Sequence, residues 1–393
     1  MRIPALPVLV ATALVAGACS GNNPTPPPLF QGGWSWNPAV AGDRPLPVVW
    51  DGATASPRTL PLLDGDCSGS VQAMTMNASQ LYAAGISVTC TPTGEATMRP
   101  VIWTGSTVTA LPTWSAGEQG TALAVSVLDT TDDEGNPKRN VYVAGAIGLT
   151  FPVPAIWVNG VLSTINPTEF LFGVWDSAVV TSISSTDRFV IVAGIAHTSS
   201  PELPPFTALV WVLDPDLLII AQVQFLLPPD SMGNTSAGPA VALFLVEDHF
   251  WSVSALLRGT SPAVPVYWED TDVLPLGGSD FTSILFGVPT DLSVVGAFPD
   301  ATPYATGYTV SPGRSLLPRP GPYIWAGAVG SPLSTADAEL LLGSGEAIGV
   351  YRGWAFVTGE TVDGDPTDPA RYLSVPALWT NGERQDLLPL VAP

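Results

Sequence analysis

Apolar residues along this chain fall into short runs broken by Gly and Pro, with no long helical stripe. Ala124-Val125-Ser126-Val127-Leu128 and Val180-Thr181-Ser182-Ile183 read as short alternating strands. A second kind of run ends in a small pair: Tyr82-Ala83-Ala84-Gly85, Tyr142-Val143-Ala144-Gly145, Val192-Ala193-Gly194, Val294-Val295-Gly296 and Phe356-Val357-Thr358-Gly359. One place departs from it, with Val253-Ser254-Ala255. A third run leads into a tryptophan, as in Pro100-Val101-Ile102-Trp103. A fourth follows it, as in Val108-Thr109-Ala110-Leu111-Pro112.

The third run recurs around Trp50, Trp103, Trp157, Trp211, Trp268, Trp325 and Trp379, spaced 53 to 57 residues apart. A repeat of that length with four short strands per unit cannot bury both faces of one sheet. The units must therefore stack on one another. The expected fold is all-β: a seven-bladed β-propeller of four-stranded antiparallel blades. The first unit does not close neatly. It has its third and outer strands, and only Gly33-Trp34-Ser35-Trp36 to supply one more. Either that blade has three strands or the two termini share one.

The beginning of the chain reads differently. Arg2 is followed by an apolar stretch, Leu6 to Val15, too short to span a membrane, and then by Ala16-Gly17-Ala18-Cys19. Small residues before a cysteine resemble the lipobox of bacterial lipoproteins, which implies cleavage before Cys19 and lipid on its sulfur. An ordinary cleaved signal ending at Ala18 is the alternative. The division expected is residues 1–18 signal peptide, 19–30 Pro-rich tether and 31–393 propeller. Trp157-Val158-Asn159-Gly160 and Trp379-Thr380-Asn381-Gly382 are similar to the turns of bacterial exported propellers built from Trp-x-Asn-Gly repeats. That resemblance covers residues 31–393 and implies architecture only.

Composition narrows the partners. Net charge is −21 and Lys138 is the single lysine, so nucleic acid and anionic headgroups are poor partners. Contact with a membrane is expected through the lipid anchor alone. Hydrophobic residues are 46% and charged residues 12% of the chain, which excludes disorder for its bulk. With Cys19 lipidated, Cys67 and Cys90 remain. They lie on two strands joined at Asn77-Ala78-Ser79-Gln80. Pairing about that turn puts positions summing to 157 opposite each other, the two cysteines among them. A disulfide is expected, with two buried free thiols as the rival.

Function is sought on the face that carries the connections between second and third strands. Constant strands with variable connections on one face make a binding scaffold. The longest connection is expected over Phe298 to Gly321, carrying Tyr304, Tyr308, Arg314 and Arg319. The last runs over Glu360 to Ala370, carrying Asp363, Asp365 and Asp368. Tyr304, Tyr308, Arg314, Asp363, Asp365 and Asp368 are the candidate binding residues. The three aspartates could hold Ca²⁺, although they lack the spacing of a full Ca²⁺ loop, and no cofactor is expected. His197 and His249 are far apart in the repeat, and no nucleophile elbow, phosphate loop or zinc spacing occurs. The expected function is a lipid-anchored binding or scaffold module of the bacterial cell envelope, taking a protein or glycan. A carbohydrate-active enzyme and a structural envelope or filament subunit are the alternatives.

Overall fold

In a computed structural model the described residues of these runs lie in antiparallel sheet, except Leu111-Pro112 just past the strand end, and no helix occurs among the described residues. The structure describes residues 12–13, 30–36, 44–51, 56–77, 79–90, 96–132, 134–163, 175–200, 205–214, 220–226, 236–237, 242–246, 249–257, 263–270, 272–276, 287–295, 301–311, 319–327, 329–335, 343–351, 354–363, 373–380 and 382–386. Cys19, residues 20–29 of the tether, Arg314, Asp365 and Asp368 lie outside them.

Seven sheets follow in chain order. Blade 1 holds Thr12–Ala13, Phe30–Trp36, Pro45–Asp51 and Ser56–Thr59. Blade 2 holds Asp66–Asn77, Gln80–Cys90, Ala96–Thr104 and Thr107–Ala110. Blade 3 holds Gly120–Thr131, Pro137–Ile147, Val153–Val158 and Val161–Leu162. Blade 4 holds Ser177–Ser185, Val190–His197, Phe206–Leu213 and Ile220–Leu226. Blade 5 has its first strand in two pieces, Ser236–Ala237 and Ala242–Val246, then His249–Leu257, Val264–Glu269 and Asp272–Pro275. Blade 6 holds Gly287–Val295, Thr302–Ser311, Arg319–Ala326 and Val329–Pro332. Blade 7 holds Gly343–Tyr351, Trp354–Asp363, Leu373–Thr380 and Glu383–Asp386.

The first strand of each blade touches that of the next. Thr12–Ala13 touches both Asp66–Asn77 and Gly343–Tyr351, which closes the ring around a central channel. The chain is a seven-bladed β-propeller. The connections from second to third strands and those joining blades share what we call the upper rim. The tight turns lie on the lower rim.

Apolar packing follows the ring. Each hydrophobic cluster bridges two successive blades. One joins Val49 and Leu60 to Val71, Met74 and Trp103, for example, and the last joins Leu378 to Val48 and Trp50. All seven repeat tryptophans are 2% exposed or less. Indoles also reach back one blade: Trp103 Nε1 donates to Pro61 O at 2.7 Å, Trp157 to Pro112 O at 2.7 Å and Trp379 to Ser334 O at 2.6 Å, whereas Trp268 Nε1 has no such partner among the described residues. The leucine just before each acceptor is buried. It donates its own N–H to the carbonyl of the Pro-x-x-Trp proline, as Leu60 does to Pro47 and Leu111 to Pro100, both at 2.9 Å. Leu60-Pro61 and Leu111-Pro112 are thus each a plug followed by a carbonyl acceptor, a place that Leu333-Ser334 fills for Trp379.

The glycine that ends the second run has a specific cause. In blades 2, 3, 4, 6 and 7 the first strand carries one extra residue opposite it: Gln72, Leu123, Thr181, Thr290 and Glu346. The bulge drives a carbonyl toward the facing residue. A Cβ on Gly194 would sit 2.0 Å from Val179 O, and one on Gly145 2.0 Å from Thr121 O. In blade 5 the residue facing the equivalent third-strand position is Ser254, and there the first strand is interrupted instead.

Three expectations are corrected. Blade 1 has a fourth strand, Thr12–Ala13, drawn from the segment read as a signal, and among the described residues no C-terminal strand joins it. In blade 6 the marker is Tyr304-Ala305-Thr306-Gly307. A Cβ on Gly307 would meet Val288 O at 2.1 Å, whereas Val294-Val295 end the first strand. The register of the Cys67–Cys90 hairpin sums to 157 only near the turn, since bulges at Gln72 and Cys67 slip it twice. The disulfide forms nonetheless, with a Cα–Cα distance of 5.8 Å.

Candidate functional site

The blade 6 correction moves two candidate residues. Tyr304 and Tyr308 are not in a loop but on the second strand of that blade. Tyr304 packs against the cluster between blades 6 and 7. Tyr308 is half-buried, and burial together with the nearby Glu346 carboxyl raises its phenol pKa. Arg319 opens the third strand of blade 6, and Asp363 ends the second strand of blade 7, paired with Leu373.

Carboxyls are drawn inward where these blades meet. Asp291 follows the bulge of blade 6, where blades 2 and 3 have Ala73 and Ala124. Its Oδ2 accepts the Ile348 N–H of blade 7 at 2.8 Å. Desolvation raises its pKa to about 7 against that bond and the Leu292 amide. Part of its surface stays open, which suits a group on an innermost strand beside the channel. Glu346, the extra residue of blade 7, is buried and accepts the Ser344 hydroxyl. Desolvation raises it to about 8, and Glu360 on the neighbouring strand adds to the shift. Thr290 Oγ1 donates to Gly345 O at 2.5 Å, so the two bulges are laced together.

The opposite side of the upper rim, on blades 2 to 4, is apolar. Leu149 is 49% exposed and Phe151 69% exposed, both in the connection between second and third strands of blade 3. Gly148 N donates to Gln119 O at 2.8 Å, which ties this connection to the one joining blades 2 and 3, where Trp114 is exposed. At its other end Ala178 N, on blade 4, donates to Pro152 O at 2.9 Å. Ala178 pairs with Ala196, beside His197, and the His197 ring lies 5.1 Å from that of Phe206, which is exposed. The backbone therefore holds Leu149, Phe151 and Phe206 along one short arc.

Around this arc the charge is acidic. Asp64 and Asp176 are exposed, Glu118 is partly so, and the one described cation of the sector, Arg99, is ion-paired to Asp66 at 2.5 Å. Asp66 also accepts from Ser87 and Thr89, beside the disulfide. The Ser199 hydroxyl and then its N–H, accepted by Asp176 at 2.6 Å, hold the Asp176 carboxyl below the usual range. The arc was missed in the sequence because exposed apolar residues carry no period. The available signal was Leu149-Thr150-Phe151 placed in a very short connection, which leaves no chain to cover them.

The lower rim is occupied by turn chemistry. Asn159, at φ 52°, accepts the Val141 N–H through Oδ1 at 2.9 Å. Asp270, at φ 51°, does the same for Phe250 N–H at 3.1 Å and holds His249 Nδ1 at 2.7 Å. The Asn of Trp-x-Asn-Gly thus locks the outer turn to the second strand. His197 and His249 sit on opposite rims. Among the described residues no cluster of His, Cys, Asp and Glu could hold a metal ion.

No protein-family model matches the chain, and no curated protein matches it. Among solved structures it is similar to an acylaminoacyl peptidase of Pyrococcus horikoshii, with TM-score 0.36 and 8% identity over 81% of this chain. It spans 52% of that peptidase. It is also similar to a levansucrase of Bacillus subtilis, with TM-score 0.35 and 7% identity over 91% of this chain and 85% of that one. A GH32 beta-fructofuranosidase of Bombyx mori gives TM-score 0.34 and 7% identity over 90% and 82% of the two chains. Such scores speak to neither activity nor substrate.

Proposed function

We propose that the protein is a binding module of the bacterial cell envelope, held by lipid on Cys19, whose upper rim takes a protein or glycan. The observation that carries this is the arc of Leu149, Phe151 and Phe206, with Trp114 beside it. These are solvent-exposed apolar side chains on the variable-connection face. Large side chains left in water on a rigid rim are what a binding partner covers. The test is retention of purified protein on immobilised glycan and peptide arrays. Leu149→Ser/Phe151→Ser is expected to lower the retained signal at least about tenfold. Retention untouched by that change sinks the reading. Labelling with a lipid precursor, lost in Cys19→Ser, tests the anchor.

One observation favours a second reading, an enzyme acting on carbohydrate. Burial keeps Glu346 protonated at neutral pH, as a general acid must be, and Asp291 lies across the same blade interface. Hydrolysis of a glycan panel that disappears in Glu346→Gln, with folding intact, is the result this reading requires.

A further inference from the structure

We infer that the arc on blades 3 and 4 takes a cationic polypeptide segment bearing apolar side chains. This rests on the binding-module reading and names the partner's chemistry. Two independent properties converge on that partner. The centre of the arc is dominated by apolar side chains, Leu149, Phe151 and Phe206, with the Thr150 hydroxyl between the first two. A glycan would need polar groups interleaved with its aromatic platforms, whereas an apolar peptide side chain needs none. The border is anionic. Asp176 projects at its blade 4 end and Glu118 lies on the connection tied to Gly148, while Asp64 stands on the upper rim of blade 2 and Arg99 is neutralised by Asp66. Among the described residues of this sector no unpaired cation would attract an acidic partner, and the chain as a whole carries −21. Lysine or arginine on an incoming segment would meet the border carboxylates and lie against aromatic rings, whose faces attract cations.

Backbone ties make the arc a fixed surface, not a collapsible loop. The Gly148–Gln119 and Pro152–Ala178 hydrogen bonds anchor both ends of the connection that carries Leu149 and Phe151. A rigid surface loses little entropy on binding, so a short segment is sufficient.

The test uses fluorescent twelve-residue peptides and the purified protein. The first alternates lysine with leucine and tryptophan. The second replaces lysine by glutamate, and the third replaces the apolar residues by serine. Fluorescence anisotropy is expected to show the first binding at least about tenfold tighter than either control and weakening as salt rises. Leu149→Ser/Phe151→Ser should abolish the difference between the first and third peptides. Val161→Ser, on the lower rim and 67% exposed, should leave it unchanged. Equal binding of the first two peptides overturns the cationic partner. Equal binding of the first and third reduces the effect to diffuse attraction by the net charge, and also overturns it. Retention of a neutral oligosaccharide that is lost in Leu149→Ser/Phe151→Ser overturns the peptide while leaving the binding module standing.

Discussion

The indole N–H of Trp157 donates to the carbonyl of Pro112, 2.7 Å away on the preceding blade. The same bond joins Trp103 to Pro61 and Trp379 to Ser334, so one side chain both fills a blade interface and latches it. Trp157→Phe keeps most of the apolar volume and removes the latch. It should cost about 1–3 kcal/mol, since Pro112 O loses its partner. Trp157→Ala should cost about 3–5 kcal/mol through the cavity. Urea denaturation midpoints check both values, and a Trp157→Phe midpoint equal to that of the unaltered protein would show that the bond contributes nothing.

Gly194 and Gly105 look alike in the sequence and are held by different forces. Gly194 has an ordinary backbone, but a Cβ there would lie 2.0 Å from Val179 O. Gly105 sits in open space with φ +62°. Gly194→Ala must displace the bulge of the innermost strand and should cost about 3 kcal/mol or more. Gly105→Ala meets only left-handed backbone strain, about 1 kcal/mol. Thermal unfolding of both variants checks the ranking, and a costlier Gly105→Ala would refute the steric account.

The part of the fold that could be read from the sequence is the part that burial makes periodic. Trp50 to Trp379 recur because every blade interface needs the same large apolar plug, and four short strands per unit follow from the runs between them. What stayed hidden depends on close approach rather than composition. Val294-Val295-Gly296 and Ala305-Thr306-Gly307 are alike in the chain, and only the carbonyl of Val288 distinguishes them. The slips at Gln72 and Cys67 were hidden for the same reason, although the disulfide survives them because two slips move Cys67 little relative to Cys90. The misplaced marker then turned Tyr304 and Tyr308 into loop residues. The apolar arc of Leu149, Phe151 and Phe206 went unread because nothing repeats it.

The carboxyls between blades 6 and 7 predict a pH dependence with a definite sign. Asp291 and Glu346 both have folded pKa values above the ordinary carboxylate range, near 7 and 8. The stability they carry is therefore complete in acid and is lost as pH rises through those values. Asp291→Asn/Glu346→Gln keeps the shapes and removes the ionisation. Relative to the unaltered protein it should denature at higher urea at about pH 9 and at a similar concentration at about pH 4. A variant less stable at both values would mean that the charged forms are required, and would reverse the sign.

Thr12–Ala13 completes blade 1 by pairing with Gln31 and Phe30. The same residues precede the cleavage expected before Cys19, and one molecule cannot have both. In the chain that begins at Cys19, the inner edge of Phe30–Trp36 loses its partner, while its other edge stays paired to Pro45–Asp51. Backbone groups on an unpaired edge return to solvent, and each lost hydrogen bond contributes about 1 kcal/mol to protection. Hydrogen exchange should therefore be at least about fivefold faster at residues 30–31 in the cleaved chain than in the uncleaved one. Residues 45–51 should exchange alike in both, because the tryptophan interface that holds them, Val48 and Trp50 against Leu378, does not involve the lost strand. Equal exchange at residues 30–31 would mean that Thr12–Ala13 gives that edge no protection.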